Sequence, residues 1–424
     1  MLYIHSTNRS PTQKPIRALH VLGQMSEGGI EAWLLQLVRR FHPDRIQMDF
    51  LVETNRTCPP CPYEDELRAR GSQIFVYPHT RNPWLYNQRI QQVLHDFGPY
   101  DVVHSHDNFI GSVMRSAYWA GVPVRIAHSH TDLFAMQTLF KTQASLQRRL
   151  AFQLFSSLNR RWIHQYATVG FGCSQNAAAS LFGSSWGIDQ RWQILYCGID
   201  LAPFQTRPDP VCVRAELGIP GDRFVIGHVG RLATAKNHAF LVNVFAAVLQ
   251  KQPNTHLLLV GEGDLQSSIQ QQVARMGLVD HVTFTGFRSD VPHLMLGAMD
   301  AFVFPSLFEG LGLALVEAQA AGLPCLFSDV IPAEADIVHP LIHRLSLEKS
   351  PFEWAEALLA LQRAHPAISP TDALDRVTAS PFNLERSLQQ IATLYQTEYA
   401  RSTLQRADQD LRKIPQQAQS TYGS

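Results

Sequence analysis

Short apolar runs alternate along this chain with stretches in which apolar residues recur every three or four positions. Residues 16–22, 46–52, 74–77, 101–104, 124–128 and 167–170 are apolar runs of strand length. Between them, 29–41 places Ile30, Trp33, Leu34, Leu37, Val38 and Phe41 on one helical face, and 84–97 and 109–120 follow the same spacing. Strands alternating with helices predict a parallel sheet covered on both faces. The pattern pauses at 195–210, where Gly198, Pro203, Pro208 and Pro210 predict a connector. It then resumes, with strands expected at 224–230, 256–260, 282–284, 301–304 and 325–328 and helices at 238–250, 265–276 and 312–321. A last amphipathic helix is predicted at 382–399, and 403–424 reads as a loose Gln-rich tail. No repeat of ~20–50 residues is present, which argues against a solenoid.

The expected division is a flexible segment 1–15, a Rossmann-like unit 16–200, a second 201–381, a final helix 382–400 and a polar tail 401–424. The 424 residues suit that division, since domains commonly span ~100–200 residues. Lys+Arg and Asp+Glu are both 36, so the net charge is zero and no bulk field favours nucleic acid. Residues 1–15 are polar and no apolar run reaches transmembrane length. A cytoplasmic protein is expected, with peripheral contact at the cytoplasmic membrane face left open. Cys58-Pro-Pro-Cys61 is a lone CxxC with no second pair, and reads as a surface loop.

Unusual residues lie where strands end, which is where open α/β sheets bind ligands. Gly28-Gly29 opens the first helix and lets backbone approach an anion, or is a plain turn. Gly230-Arg231 and Lys236 place two cations after a strand, suited to a diphosphate or to a solvated loop. Phe308-Glu309-Gly310-Leu311-Gly312 precedes a helix carrying Glu317. About eight residues of helical rise span ~12 Å, so Glu309 and Glu317 are spaced to hold two ends of one extended molecule, each carboxylate accepting two hydroxyl hydrogen bonds. The bland alternative is a capping and a surface glutamate. His104-Ser-His106-Asp107 and His128-Ser-His130 suit either a zinc site or a polar cleft wall. Asp96-Phe97-Gly98 lacks the Gly-rich and catalytic loops of a kinase.

As a set these segments resemble the GT-B glycosyltransferases of family 4. Glu309 and Glu317 are similar to that family's E-x7-E motif, and Val229-Gly230-Arg231 with Lys236-Asn237 to its phosphate-binding Arg and Lys. Val260-Gly261-Glu262-Gly263-Asp264 and Phe284-Thr285-Gly286-Phe287-Arg288 also match, as does Cys197-Gly198-Ile199-Asp200, where Cys197 replaces the usual Asn. Gly28-Gly29-Ile30-Glu31, both His-Ser-His segments and Ser328–Glu334 are similar to the EpsF-like branch of bacterial exopolysaccharide and capsule biosynthesis.

The resemblance implies two Rossmann-like domains facing each other across a cleft, with the final helix crossing back to the first. It implies retaining transfer from a nucleotide sugar, a UDP-hexose or UDP-N-acetylhexosamine by family frequency, to a saccharide or polyprenyl-linked acceptor. Arg231 and Lys236 would stabilise the diphosphate, Glu309 the sugar and Glu317 the ribose. Backbone at Gly29, Gly230, Gly261, Gly310, Leu311 and Gly312 would approach the donor, and Phe287-Arg288 the base. His130 aligns best with the family's active-site histidine, His128 being the second choice, with His104, His106 and His128 along the acceptor cleft. No metal or cofactor is implied, the cations serving instead. Residues 141–166, with Lys141, Arg148, Arg149, Arg160 and Arg161, would be either a membrane-facing or a solvated basic face. A sugar-nucleotide epimerase, a catalytically silent binding protein and a zinc hydrolase are the alternatives.

Overall fold

The computed structural model describes residues 14–25, 28–54, 63–80, 82–106, 109–135, 146–364 and 368–412. Cys58, Cys61, Asp107 and Lys141 lie outside the described residues. Seven strands form the first sheet: β1 (Ile16–Gln24), β2 (Ile46–Thr54), β3 (Ile74–Pro78), β4 (Val102–Ser105), β5 (Val124–Ser129), β6 (Val169–Gly172) and β7 (Trp192–Ile194), in the order β3-β2-β1-β4-β5-β6-β7. Six form the second: β8 (Phe224–Val229), β9 (Thr255–Val260), β10 (Val282–Phe284), β11 (Ala301–Phe304), β12 (Cys325–Ser328) and β13 (Ile342–Leu345), in the order β10-β9-β8-β11-β12-β13. Every pairing between these strands is parallel.

Central strands are apolar on both faces because helices cover both. All four residues of β11 and β12 are buried, and all six of β9. The helix Gly29–Arg40 turns Trp33, Leu34, Leu37 and Val38 inward. In each sheet the strand order reverses once, between β1 and β4 and between β8 and β11. The crevice beyond the carboxyl ends at such a reversal is the natural ligand site of an open α/β sheet.

The connector at 195–210 is more ordered than its prolines suggest. Ile199 bridges Asn383, and a Cβ at Gly198 would sit 2.5 Å from Leu384 Cα. The chain leaves the first unit against the strand-like step by which it returns to it. The final helix, Leu384–Arg412, then lays Leu388, Ile391 and Tyr395 into the first unit's core with Trp33, Phe50 and Phe171. It runs past residue 403, so the loose tail expected there is helical as far as Arg412. The Trp33 indole donates to Ser387 Oγ at 2.7 Å, fixing the helix across the first unit. Gly198→Ala would drive a Cβ into the backbone of Leu384 where only Gly fits, so the expected outcome is a destabilised junction between the units.

Candidate active site between the two sheets

Two loops at the reversal of the second sheet form one wall. The loop after β8 carries Gly230, Arg231 and Lys236, and the loop after β11 carries residues 305–312. The Leu307 N–H donates to the Ala235 carbonyl at 2.7 Å, tying the loops together. Lys236 Nζ lies 2.5 Å from Glu309 Oε1, which also accepts from Ser306 Oγ at 2.6 Å. Ser306 is fixed in turn by Ser328 Oγ, which donates to its carbonyl at 2.6 Å. The ammonium also stands 4.6 Å over the Phe304 ring. A partly buried cation and carboxylate are therefore held ready at the cleft with few rotamers to lose.

Glycines let the backbone come close. Gly261 (φ 130°) has its Cα hydrogen against the Gly230 carbonyl, and its N–H donates to Gly286 at 2.9 Å. Gly312 (φ 92°) turns the chain into the helix Leu313–Ala320, whose N-terminus faces the first unit. There Leu313 Cδ1 would lie 3.1 Å from a Cβ at Gly29. A Cβ at Gly310 would overlap the His130 carbonyl oxygen. The donor-side and histidine walls thus touch through Gly310. Gly310→Ala is expected to hold the walls apart and lower turnover by roughly 100-fold, since about 1 Å of misplacement costs that much. Steady-state kinetics beside a thermal melt of the variant would check this.

Glu317 lies one face further along that helix, partly buried and with no hydrogen-bond partner among the described residues. Burial raises its carboxyl from the ordinary 4.5 to about 7. Hydroxyls donating to it favour the ionised form, so a diol ligand is expected to bind more tightly as pH rises from 6 to 8 and to release a proton below pH 7. Calorimetry in two buffers of different ionisation enthalpy measures that release, and Glu317→Gln is expected to abolish it. Phe287 and Arg288 follow β10. The Phe287 N–H donates to Glu262 Oε1 at 3.2 Å and the Arg288 guanidinium is forked onto Asp290.

The opposite wall comes from β1, β4, β5 and the final helix. His104 and His128 are the penultimate residues of buried strands, and His106 and His130 follow on their extensions. His20, hidden in the sequence by the apolar strand around it, joins them: its Nδ1 lies 3.0 Å from His106 Nε2. His106 Nδ1 meets His130 Nε2 at 2.8 Å, and His104 Nε2 meets His128 Nδ1 at 3.1 Å. The Tyr395 hydroxyl links His104 and His20, at 2.9 and 3.2 Å. Trp33 stands edge-on to His106 and His128. Burial holds all these imidazoles neutral, with His20 and His130 pushed down to about 3. Ring nitrogens of His20, His104 and His106, and of His106, His128 and His130, lie within 4.8 Å of one another, so geometry alone would admit a cation. Apart from His128 Nε2, each nitrogen of the five rings already faces a hydrogen-bond partner.

A cavity of about 370 Å³ lies between the walls, lined by His106, His128, His130, Glu31, Glu53 and Arg231 among others. Glu53 and His79 do not stand out in the sequence, and Glu31 does so only as the end of the Gly28-Gly29-Ile30-Glu31 segment. Glu53 Oε2 pairs with His79 Nδ1 at 2.9 Å, while its Oε1 is buried without a partner. Their signal is a polar residue ending an otherwise apolar strand, at Glu53, and a Gly-Gly-Ile-Glu start to a helix, at Glu31. The structure brings together Arg231, His106, His128 and His130 around this cavity, with Lys236, Glu309 and Gly310 beside it. His104 lies behind the wall rather than on it, fully buried.

Two opposed Rossmann-like domains, a cationic loop on one and a histidine wall on the other, define a GT-B glycosyltransferase. The family model described as Glycosyl transferases group 1 matches residues 213–364, and that described as Glycosyltransferase Family 4 matches residues 27–203. The chain belongs to this glycosyltransferase family. It is 36% identical over 346 residues to the glycosyltransferase EpsF of Bacillus subtilis (strain 168), covering 81% of this chain and 86% of that one. It is 28% identical over 240 residues, 54% of this chain and 58% of the relative, to the UDP-Gal:alpha-D-GlcNAc-diphosphoundecaprenol alpha-1,3-galactosyltransferase of Escherichia coli. Its fold superposes on Anabaena Alr3699/HepE, solved with UDP and glucose, with a TM-score of 0.70 at 21% identity over 89% of this chain and 99% of that one. WaaG, a glycosyltransferase involved in lipopolysaccharide biosynthesis, gives 0.67 at 18% identity over 90% and 99%. No described helix is long and apolar enough to cross a membrane.

Proposed function

We propose that the protein transfers a hexose or N-acetylhexosamine from UDP to a polyprenyl-linked glycan in bacterial polysaccharide assembly, with retention at the anomeric carbon. The observation that carries this reading is the Lys236–Glu309–Ser306 constellation in the loops that also carry Arg231, which shares a cavity with His106, His128 and His130. UDP as carrier is supported by the UDP and UDP-glucose named with the Anabaena structures, and the acceptor class by the diphosphoundecaprenol named for the Escherichia coli relative.

In this reading Arg231 and Lys236 stabilise the diphosphate as negative charge grows on it, and a site of fixed charges and dipoles accelerates a reaction chiefly in this way. Glu309 shares Lys236 and accepts from sugar hydroxyls, and Glu317 accepts from the ribose diol. His130 meets the sugar from the opposite wall. The departing phosphate oxygen receives the acceptor hydroxyl's proton on the face it leaves. Since two side-chain cations supply the charge a divalent ion would, transfer proceeds without metal or cofactor. Helix Leu146–Tyr166, with Leu154, Leu158 and Arg161 exposed, would rest on an anionic leaflet beside the acceptor, placing the protein at the cytoplasmic membrane face.

The test is transfer from UDP-sugars to a synthetic polyprenyl-diphosphate sugar with EDTA present. An α-linked disaccharide formed at an unchanged rate supports all parts of the reading. A β-linked product contradicts retention, loss of rate in EDTA contradicts metal independence, and donor epimerised without acceptor supports the epimerase alternative.

A further inference from the structure

One continuous chain of hydrogen bonds runs through the histidine wall. It begins at His128 Nε2, which is buried in a cavity-lining residue with the Leu195 backbone beside it. His128 Nδ1 meets His104 Nε2 at 3.1 Å, and His104 Nδ1 meets the Tyr395 hydroxyl at 2.9 Å. That hydroxyl meets His20 Nε2 at 3.2 Å, and His20 Nδ1 meets His106 Nε2 at 3.0 Å. His106 Nδ1 meets His130 Nε2 at 2.8 Å, and His130 Nδ1 faces Cys197 Sγ at 3.8 Å, a weak terminal contact.

A neutral imidazole carries one N–H and one bare nitrogen, and a phenol donates once while it accepts. Every link needs one donor and one acceptor, so the direction of any one bond fixes all the rest. Two arrangements satisfy the whole chain. In the first, all five imidazoles carry the proton on Nδ1 and the chain points from His128 to Cys197. In the second, all five carry it on Nε2, the Tyr395 hydroxyl points the other way, and the Cys197 thiol donates to His130. An imidazolium within the chain would donate on both sides, so the bonds would point away from it in both directions and the two halves would carry opposite tautomers.

Both terminal imidazoles, His128 and His130, line the cavity. When His128 Nε2 is a bare acceptor, His130 Nδ1 is a donor, and reversal exchanges the two roles. His130 Nδ1 already spends its role on Cys197 Sγ, so the direction of the chain reaches the cavity at His128 Nε2, as an acceptor in the first arrangement and as a donor in the second. We infer that Tyr395, at the middle of this chain on the crossover helix, is a positioning residue for transfer: through His104 and His20 it ties the tautomer of His128 to that of His106 and His130, and so sets the hydrogen-bonding role that His128 Nε2 presents to a hydroxyl-bearing acceptor. The inference rests on the transferase reading above.

Tyr395→Phe tests it, since the ring stays packed and only the joining hydroxyl is lost. The expected result is a kcat lowered about 10-fold or more, as for other supporting-shell substitutions, with acceptor KM and the stabilisation by UDP-sugar within twofold of wild type. Histidine-selective nitrogen-15 spectra, with signals assigned by single substitutions, read the chain directly. In the wild type the five rings share one tautomer, and in Tyr395→Phe the His104–His128 pair separates from the other three. Mixed tautomers in the wild type overturn the inference, as does a folded Tyr395→Phe enzyme with unchanged kcat. So does stoichiometric metal on the histidines, which would occupy the lone pairs the chain needs. If no UDP-sugar stabilises the wild type and no transfer occurs, the transferase reading fails, while the shared tautomer still stands or falls on the spectra.

Discussion

Replacing Lys236 with alanine lowers kcat/KM by about 10²–10³-fold, the range seen when one preorganised charge-stabilising donor is removed from an active site. The effect has two sources. The diphosphate loses a cation, and Glu309 is left with Ser306 Oγ as its remaining hydrogen-bond donor in a site where its side chain is only 11% exposed. An uncompensated buried carboxylate repels an anionic donor, so the mutant is expected to lose affinity for UDP itself as well as for the UDP-sugar. Glu309→Gln separates the two sources. It keeps shape and removes charge, so affinity for UDP is expected to hold while kcat falls. Isothermal titration with UDP and with UDP-sugar, beside steady-state rates, gives both quantities. A Lys236→Ala enzyme that binds UDP like the wild type would remove the phosphate role from this lysine.

The second large effect is on stability in mild acid. His20, His104 and His128 are fully buried, and their basicity is depressed first by burial and, for His104 and His128, then by neighbouring imidazoles. Their folded pKa lies below the unfolded value of about 6.5, so below that pH the unfolded chain binds protons that the folded one refuses. Stability contributed by the neutral rings is complete above pH 6.5 and falls as pH drops toward their folded values. Each ring costs about 1.4 kcal/mol per pH unit, so the three together approach ~4 kcal/mol per unit, against a typical total of ~5–15 kcal/mol. His228 and His238, equally buried in the second domain, add to the trend. Glu317 opposes it, since its raised carboxyl takes up a proton on folding. The melting temperature is expected to fall by roughly 10 °C between pH 7 and 5.5. In His20→Phe, which can keep the ring contact with Phe50, the pH slope is expected to be smaller by about one proton. A melting temperature flat across this range would contradict the buried neutral network.

The alternating architecture was legible because a doubly covered parallel sheet needs long apolar strands, and β1, β2, β5, β8 and β9 supply them. The short edge strands β7 and β13 are not legible in the same way. Gln193, His343 and Arg344 interrupt their apolar pattern, and an edge strand shielded on one side tolerates that. The donor-side wall was readable for a local reason: Gly230, Arg231 and Lys236 sit within one loop, as do Glu309, Gly310 and Gly312, so spacing in the chain is spacing in space. The histidine wall is assembled across distance. His20 lies inside an apolar strand and Tyr395 on an amphipathic helix, where each looks like core, and 375 positions separate the two groups that share a hydrogen bond. Cys197 acquires a context only once His130 is seen beside it. The final helix outlasts its apolar stripe because beyond Tyr399 no tertiary contact is needed to continue a helix rich in Leu, Gln, Arg and Ala.

The most direct measurement is the thermal stability of the wild type and of Lys236→Ala across a panel of nucleotides and nucleotide sugars, with EDTA present. A ligand that binds only the folded state must raise its melting temperature. In the transferase reading, UDP and one UDP-sugar stabilise the wild type and the shift is lost in Lys236→Ala. A wild type that no nucleotide or nucleotide sugar stabilises would contradict it and favour a silent member of the fold that binds a glycan or protein partner.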